Sequence, residues 1–232
     1  MTDTIEEQPA PPSPLRAIAI SAPLRPVRMG MLGAMRATYA RRRPMLGYRD
    51  ELPELLNRRG LLGRGVEVGV RRGDFSELLL DGWRGRELVS IDPWSEAPGE
   101  EYVDVANVAQ QQHDRFHAET QARLARFGER STIWRMTGRE GAAQIPDGSL
   151  DFAYLDARHD YESVTDDLND WIDKVRPGGL ITGHDYRDGD YPQGVFGVKS
   201  AVNDFFRARG LKVRSTWADG PWLTWYVLLP RA

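Results

Sequence analysis

From about residue 50 onward the chain alternates short apolar runs with stretches in which apolar residues recur at helical spacing. The apolar runs fall at 65–69, 87–92, 132–136, 150–156 and 179–184. They are nearly continuous rather than alternating with polar residues, which fits strands covered on both faces. Between them the helical period predicts helices at about 50–59, 73–81, 105–127, 139–144, 161–175 and 197–209, with a loop at 185–195. Two last strands, at about 211–217 and 222–229, flank the turn Asp219-Gly220-Pro221. That link is too short for a crossover helix, so the pair should form an antiparallel hairpin. The pattern as a whole predicts an α/β fold, a Rossmann-like doubly wound sheet, mostly parallel, with a C-terminal antiparallel hairpin.

Upstream the pattern is lost. Residues 1–27 hold Pro9, Pro11, Pro12, Pro14, Pro23 and Pro26 and read as a flexible lead-in. Residues 28–49 carry Arg28, Arg36, Arg41, Arg42 and Arg43 interleaved with Met29, Met31, Leu32, Met35 and Tyr39. This reads as a basic helical segment with one apolar face, or as a lid, a dimer contact or an anionic-surface anchor. The single domain is then 50–232, without an internal repeat.

Composition narrows the class. Hydrophobic residues at 41% and charged residues at 28% belong to a soluble globular chain. A net charge of −3 counts against a nucleic-acid partner. With no cysteine, disulfides, thiolate catalysis and cysteine-ligated metals are excluded. No apolar run reaches the roughly 18 residues of a membrane span, and no apolar core follows a basic start. Asp3, Glu6 and Glu7 argue against a mitochondrial transit peptide. A cytoplasmic protein without stable membrane insertion is expected.

In doubly wound sheets ligands lie beyond the carboxyl ends of the strands. The first strand ends in Glu67-Val-Gly-Val-Arg-Arg-Gly73, the second in Ser90-Ile-Asp-Pro-Trp94. Gly69 and Gly73 allow close backbone approach, and Asp92 would accept from both ribose hydroxyls. The spacing is not the Gly-x-Gly-x-x-Gly of dinucleotide binders. It resembles the first two motifs of class I S-adenosylmethionine-dependent methyltransferases, over about residues 50–229. The resemblance implies that Glu67 and Gly69 line the methionine end of S-adenosyl-L-methionine, with Gly73 opening the next helix. It puts Asp92 at the ribose, Trp94 beside the cofactor, and Met136, Thr137, Gly138 and Glu140 near the adenine.

The fourth strand leads to Asp156 and, three residues later, His159; the fifth leads to His184 and Asp185. Neighbouring strands would gather these four at one edge. Two carboxylates and a histidine suit octahedral Mg²⁺ or Mn²⁺. These segments resemble the metal-dependent O-methyltransferases of the catechol and macrolide-sugar type. The resemblance makes Asp156, His184 and Asp185 the metal ligands, Asp156 also a cofactor contact and catalytic residue, and His159 the base. His184 stands where that family more often has Asp or Glu; ligand, substrate contact and supporting group all stay open for it. His159 falls where the catechol enzymes carry lysine, and its ordinary pKa lies near neutrality. His113 and His117 also have ligand spacing, without an acidic partner in sequence. Asp166, Asp167, Asp170 and Asp173 read as a solvated helix face, and Trp94, Trp217, Trp222 and Trp225 as core candidates.

Tyr186, Asp190 and Tyr191 make the 185–195 loop polar and aromatic, which favours a sugar or saccharide-containing small-molecule acceptor over a catechol or other aromatic natural product. The resemblance alone implies a homodimer. Two other classes stand beside this reading. One is a nucleic-acid or protein methyltransferase, which the weak net charge and the lack of an Asn/Asp-Pro-Pro-Tyr-like tetrad oppose; the other is a cofactor-binding module without activity.

Overall fold

The computed structural model describes residues 46–97, 104, 106–192 and 194–231. The proline-rich lead-in and residues 28–45 of the basic segment therefore lie outside the described residues. Five strands run parallel: β1 (Arg64–Val68), β2 (Glu87–Asp92), β3 (Ser131–Arg135), β4 (Leu150–Leu155) and β5 (Val175–Gly183). Helices α1 (Leu52–Arg59), α2 (Asp74–Gly82), α3 (Gln110–Leu124), α4 (Gly138–Gln144), α5 (Tyr161–Trp171) and α6 (Val198–Ala208) alternate with them. A second, two-stranded sheet pairs β6 (Asp188–Tyr191) with β7 (Gly194–Gly197). The C-terminal pair β8 (Arg214–Ser215) and β9 (Trp225–Leu228) is antiparallel, and β9 also joins the sheet antiparallel to β5. The seven-stranded order is β3-β2-β1-β4-β5-β9-β8. The chain reverses direction across the sheet between β1 and β4, so the switch point lies there.

Local chemistry accounts for the boundaries. α1 takes Pro53 in its first turn, where the missing N–H costs nothing, and stops at Gly60 with φ 68°. α5 is N-capped by the Asp160 carboxylate, which accepts from Ser163 N at 2.8 Å. The two sheet faces bury separate cores. Leu52, Leu56, Leu79, Trp83, Phe152 and Tyr226 fill the side under α1 and α2; Val66, Ile181, Trp171, Val202, Phe206 and Trp225 fill the side under α5 and α6. Strands sandwiched this way read as continuous apolar runs.

Three boundaries differ from expectation. The predicted 185–195 loop holds the β6–β7 hairpin, because Tyr191 pairs with Gly194 around a tight turn and the Tyr191 hydroxyl donates to Asp188 O at 2.7 Å. α3 begins at Gln110 rather than near 105, and Asp104 instead forms a bridge with Gly194. The hairpin strand predicted at 211–217 shortens to two residues, since Thr216 N donates to Thr224 O and the chain then turns away toward Gly47.

The switch point is tight. Gly69 sits at φ 87°, and a Cβ there would lie 2.0 Å from the carbonyl oxygen of Asp156. We therefore expect Gly69→Ala to cost about 3 kcal/mol or more, combining backbone strain with overpacking. Gly60→Ala, at φ 68° with open space around it, should cost only about 1–2 kcal/mol, the strain alone. Urea midpoints at unchanged slope would report both; equal costs would show that the close approach is not what constrains Gly69.

Candidate functional site

Among the described residues three that are not glycine adopt left-handed backbone: Arg71 (φ 54°), Trp94 (φ 41°) and Asp185 (φ 52°). They follow β1, β2 and β5 respectively, so the strain gathers at one sheet edge, as it does at functional sites. Asp92 fastens two of these turns. Its Oδ2 accepts from Val70 N and Arg71 N, both at 2.9 Å, and its Oδ1 accepts from Trp94 N at 2.8 Å. A carboxylate offers about four acceptor positions, so Asp92 keeps limited capacity for a ligand. Trp94 is fully buried against Val70 and Phe116 and donates its indole N–H to Arg71 O at 2.7 Å. It therefore serves as a strut beneath the loop.

Glu67 is buried inside the same edge. Ser76 Oγ donates to it, and Ser90 Oγ donates to Ser76 Oγ at 3.2 Å. Burial pushes its carboxyl up to about 8 despite the Ser76 hydrogen bond. Gly73 closes the loop and opens α2 at φ 75°. Thr137 and Glu140, expected near the adenine, form a capping box on α4. Glu140 Oε2 accepts from Thr137 N and Oγ at 2.8 Å each, and Glu140 N donates to Thr137 Oγ at 3.2 Å. Their polar groups hold the helix start in place at the end of β3. Gly138 lets that helix sit on β1, for a Cβ there would lie 2.9 Å from Val68 Cγ1.

The chemical cluster is assembled by strand ends. Asp156 N donates to Val68 O at 2.8 Å, and His184 N to Leu155 O at 3.3 Å. Asp185 then faces two imidazoles, 2.9 Å from His184 Nδ1 and 3.0 Å from His159 Nε2. His159 Nδ1 lies 2.8 Å from Asp104 Oδ2, and its ring stacks on Phe196 at 4.6 Å and 15°. Burial disfavours the imidazolium, but hydrogen bonds to Asp104 and Asp185 outweigh it and hold His159 up at about 10. In this arrangement His159 is a cation donating at both nitrogens rather than the near-neutral base expected. Burial also raises Asp156, with Asp185 adding to the effect and His184 opposing it.

Asp156, His184 and Asp185 each offer a ligand atom, all within 4.8 Å of one another. Two hard oxygens and one imidazole nitrogen fit a divalent cation such as Mg²⁺ or Mn²⁺. Among the described residues this is the cluster with such geometry, and His113 and His117 take no part in it. His117 instead packs on Trp94 at 4.6 Å.

Two members were not found by sequence reasoning. Asp104 sits in an irregular loop with no motif around it. Arg49 is the last arginine before the regular pattern begins. Its backbone N–H reaches both Asp219 carboxylate oxygens at 3.0 Å. Its guanidinium lies 4.6 Å over Phe75 and 3.8 Å from Asp156 Oδ2.

The β6–β7 hairpin carries an aromatic cluster. Tyr186 donates to Asn203 Oδ1 at 2.6 Å, and the Tyr191 hydroxyl donates within its own hairpin to Asp188 O. Tyr191, Phe196 and Trp222 pack as a cluster with centroids 5.1–5.8 Å apart. Asp190 stays exposed on β6, and Trp217 is exposed rather than core. On α5, Asp166 and Asp170 pair with Arg139 at 3.3 and 3.1 Å, as a solvated face would. Asp167 departs from that expectation: burial, with Asp170 and Asp166 nearby, raises it to about 7.

Glu67 supplies a stability test. Its folded pKa of about 8 lies above the ordinary 4.5. Between those values the unfolded chain ionises and the folded one does not, so stability falls as pH rises through the window. Glu67→Gln removes that loss. The variant should match the wild type near pH 4 and exceed it by on the order of 4 kcal/mol at pH 7.5. Melting temperatures across that range would show it; a difference independent of pH would mean Glu67 is ionised in the fold.

A family model described as a methyltransferase domain matches residues 66–186, just over half of the chain. An uncharacterised protein of Sinorhizobium fredii is 27% identical over 145 residues, covering 62% of this chain and 15% of its own length. An uncharacterised protein of Acanthamoeba polyphaga mimivirus is 26% identical over 140 residues, covering 60% of this chain and 59% of its own. The chain thus spans well under two thirds of the length of these curated relatives. Among solved structures, the O-methyltransferase from Bacillus cereus in complex with S-adenosylhomocysteine aligns with a TM-score of 0.58 at 13% identity, covering 94% of this chain and 97% of that one. That likeness shows the fold. The matched family region contains Gly69, Asp92, Asp156 and the His184–Asp185 pair, and the chain belongs to the methyltransferase domain family.

Proposed function

We propose that the chain is an S-adenosylmethionine-dependent O-methyltransferase that works with Mg²⁺ or Mn²⁺. The observation that carries this is a juxtaposition at the switch point. The glycine loop after β1, fastened by Asp92, lies beside the Asp156–His184–Asp185 cluster, and the Gly69 backbone meets the Asp156 carbonyl. The bound S-adenosylhomocysteine of the Bacillus cereus structure supports the choice of donor.

When bound, the cation would orient the acceptor hydroxyl and lower its pKa. Asp156, His184 and Asp185 would hold it. With Asp185 drawn to the cation, the contact that holds a proton on His159 Nε2 would be lost, and the ring, neutral once that proton has left, would accept the hydroxyl proton at Nε2, the nitrogen that here lies 3.0 Å from Asp185. Asp104, at Nδ1, fixes the ring's orientation and tautomer, as partners of catalytic histidines do. The reaction is an in-line displacement: the acceptor oxygen bonds to the methyl carbon as the carbon–sulfur bond breaks. Alignment supplies much of the rate.

For the acceptor we retain a hydroxyl of a saccharide or similar polyhydroxylated small molecule. Exposed Asp190 on β6 supports it, because carboxylates accept hydrogen bonds from sugar hydroxyls. An aromatic diol is the second reading, favoured by the Phe196–Trp222 wall at 5.1 Å. Parallel panels of sugars and catechols would decide between them.

Exhaustive chelation should abolish methyl transfer while calorimetry still detects S-adenosylhomocysteine binding. Full turnover after chelation would remove the cation from the mechanism. His159→Ala should cut turnover at least about a hundredfold, the scale of a general base. Asp104→Asn should lower turnover less and displace the pH–rate profile; profiles identical to wild type in both variants would reject the assignment.

A further inference from the structure

We propose that the acceptor carries a fixed negative charge, a carboxylate or phosphate, and that Arg187 receives it. This rests on the methyltransferase reading above and adds the charge class of the acceptor. Arg187 lies two residues beyond Asp185, and its backbone N–H reaches Asp185 O at 2.6 Å. Its guanidinium sits in the corner formed by two rings, 3.7 Å from the Tyr191 centroid and 4.2 Å from that of Trp222. Its Nε is buried with no hydrogen-bond partner. Among the described residues no carboxylate pairs with Arg187, whereas Arg49, Arg135 and Arg139 each meet one.

The nearby acids are committed elsewhere. Asp185 serves two histidines, Asp104 serves His159, and Asp188 accepts from Ser200 N and Oγ at 2.9 Å each. Asp190 shares the hairpin with Tyr191 but makes no ion pair with Arg187. A partly desolvated guanidinium held against two aromatic rings is preorganised for a planar or tetrahedral oxyanion. Less rotamer freedom is then lost on binding.

This corner is continuous with the reacting edge. Trp222 packs on Phe196 at 5.1 Å, and Phe196 stacks on His159 at 4.6 Å. An acceptor lying along this aromatic floor would present its hydroxyl at His159 and its anionic end at Arg187. The opposite orientation would drive an anion against Asp104, Asp156 and Asp185. Arg187 therefore selects both the charge and the direction of the acceptor. A purely structural Arg187, pinning the β6–β7 hairpin to Trp222, would show no such discrimination.

The test uses the full chain with S-adenosylhomocysteine and Mg²⁺ and measures affinities for matched pairs. These are 3,4-dihydroxybenzoate against catechol, glucuronate against glucose, and glucose 6-phosphate against glucose. In at least one pair the anionic member should bind at least about tenfold tighter, the worth of a charge-assisted contact. The carboxylate and phosphate arms identify the source of the charge. In Arg187→Met, which keeps bulk against the rings, that ratio should fall toward one, while Arg187→Lys should restore part of it. No preference in the wild type, including no binding of either member of any pair, overturns the proposal. So does a preference that survives in Arg187→Met, or an equal loss for charged and neutral members. Failure of the wild type to bind S-adenosylhomocysteine would instead sink the methyltransferase reading.

Discussion

Asp185 bonds to two imidazoles from a left-handed backbone, 3.0 Å from His159 and 2.9 Å from His184. Buried charge is tolerated only when paired and hydrogen-bonded. The pairing here is a row of carboxylate and imidazole in turn, Asp104, His159, Asp185, His184, with Asp156 beside its end. Its members come from three parts of the chain: Asp104 precedes α3, Asp156 and His159 follow β4, and His184 and Asp185 follow β5. The row therefore ties the Asp104 segment to the paired ends of β4 and β5. The β6–β7 hairpin is drawn in as well, because Gly197 N donates to His159 O at 2.8 Å and Phe196 covers the ring. The Phe196, Tyr191 and Trp222 cluster owes its position to that attachment.

The frame beneath was legible in the sequence because a doubly covered parallel sheet needs unbroken apolar strands, and those runs stand out. The strand ends were legible for a related reason. Gly69, Asp156 and Asp185 interrupt apolar runs at the one edge where polar side chains meet solvent and ligand. Asp104 was not legible, since its role depends on a bridge to Gly194 that no local pattern encodes. Arg49 was hidden by its neighbours: in a stretch already rich in arginine, one more carries no signal until Asp219 is seen holding its backbone.

Trp94, Thr137 and Glu140 show what spacing does not encode. Each sits beyond a strand end, and position alone carried the expectation for them. Their local bonds are a separate fact: the indole N–H of Trp94 donates to Arg71 O, and Glu140 accepts from Thr137. Sequence spacing locates a residue along an edge but not the partner its polar atoms choose. The same holds around the β6–β7 hairpin, where the Tyr186 hydroxyl donates to Asn203 and that of Tyr191 to Asp188 O, and the Tyr191 ring lies against Arg187.

Charge cancellation gives the edge a coherent meaning on the methyl-transfer reading. The donor's sulfonium loses its positive charge as the methyl leaves, so an uncompensated carboxylate beside it would stabilise the ground state more than the transition state. Five acids approach this edge: Glu67, Asp92, Asp104, Asp156 and Asp185, of which Asp104 is paired with His159. Burial keeps Glu67 protonated up to about 8. Asp92 is neutralised in part by three backbone N–H groups. Asp156 faces Arg49 and Asp185 faces two imidazoles. Every carboxylate needed to shape the pocket is thus protonated, bonded or paired in the protein alone. What remains for the donor is shape and alignment, the two contributions that persist into the transition state.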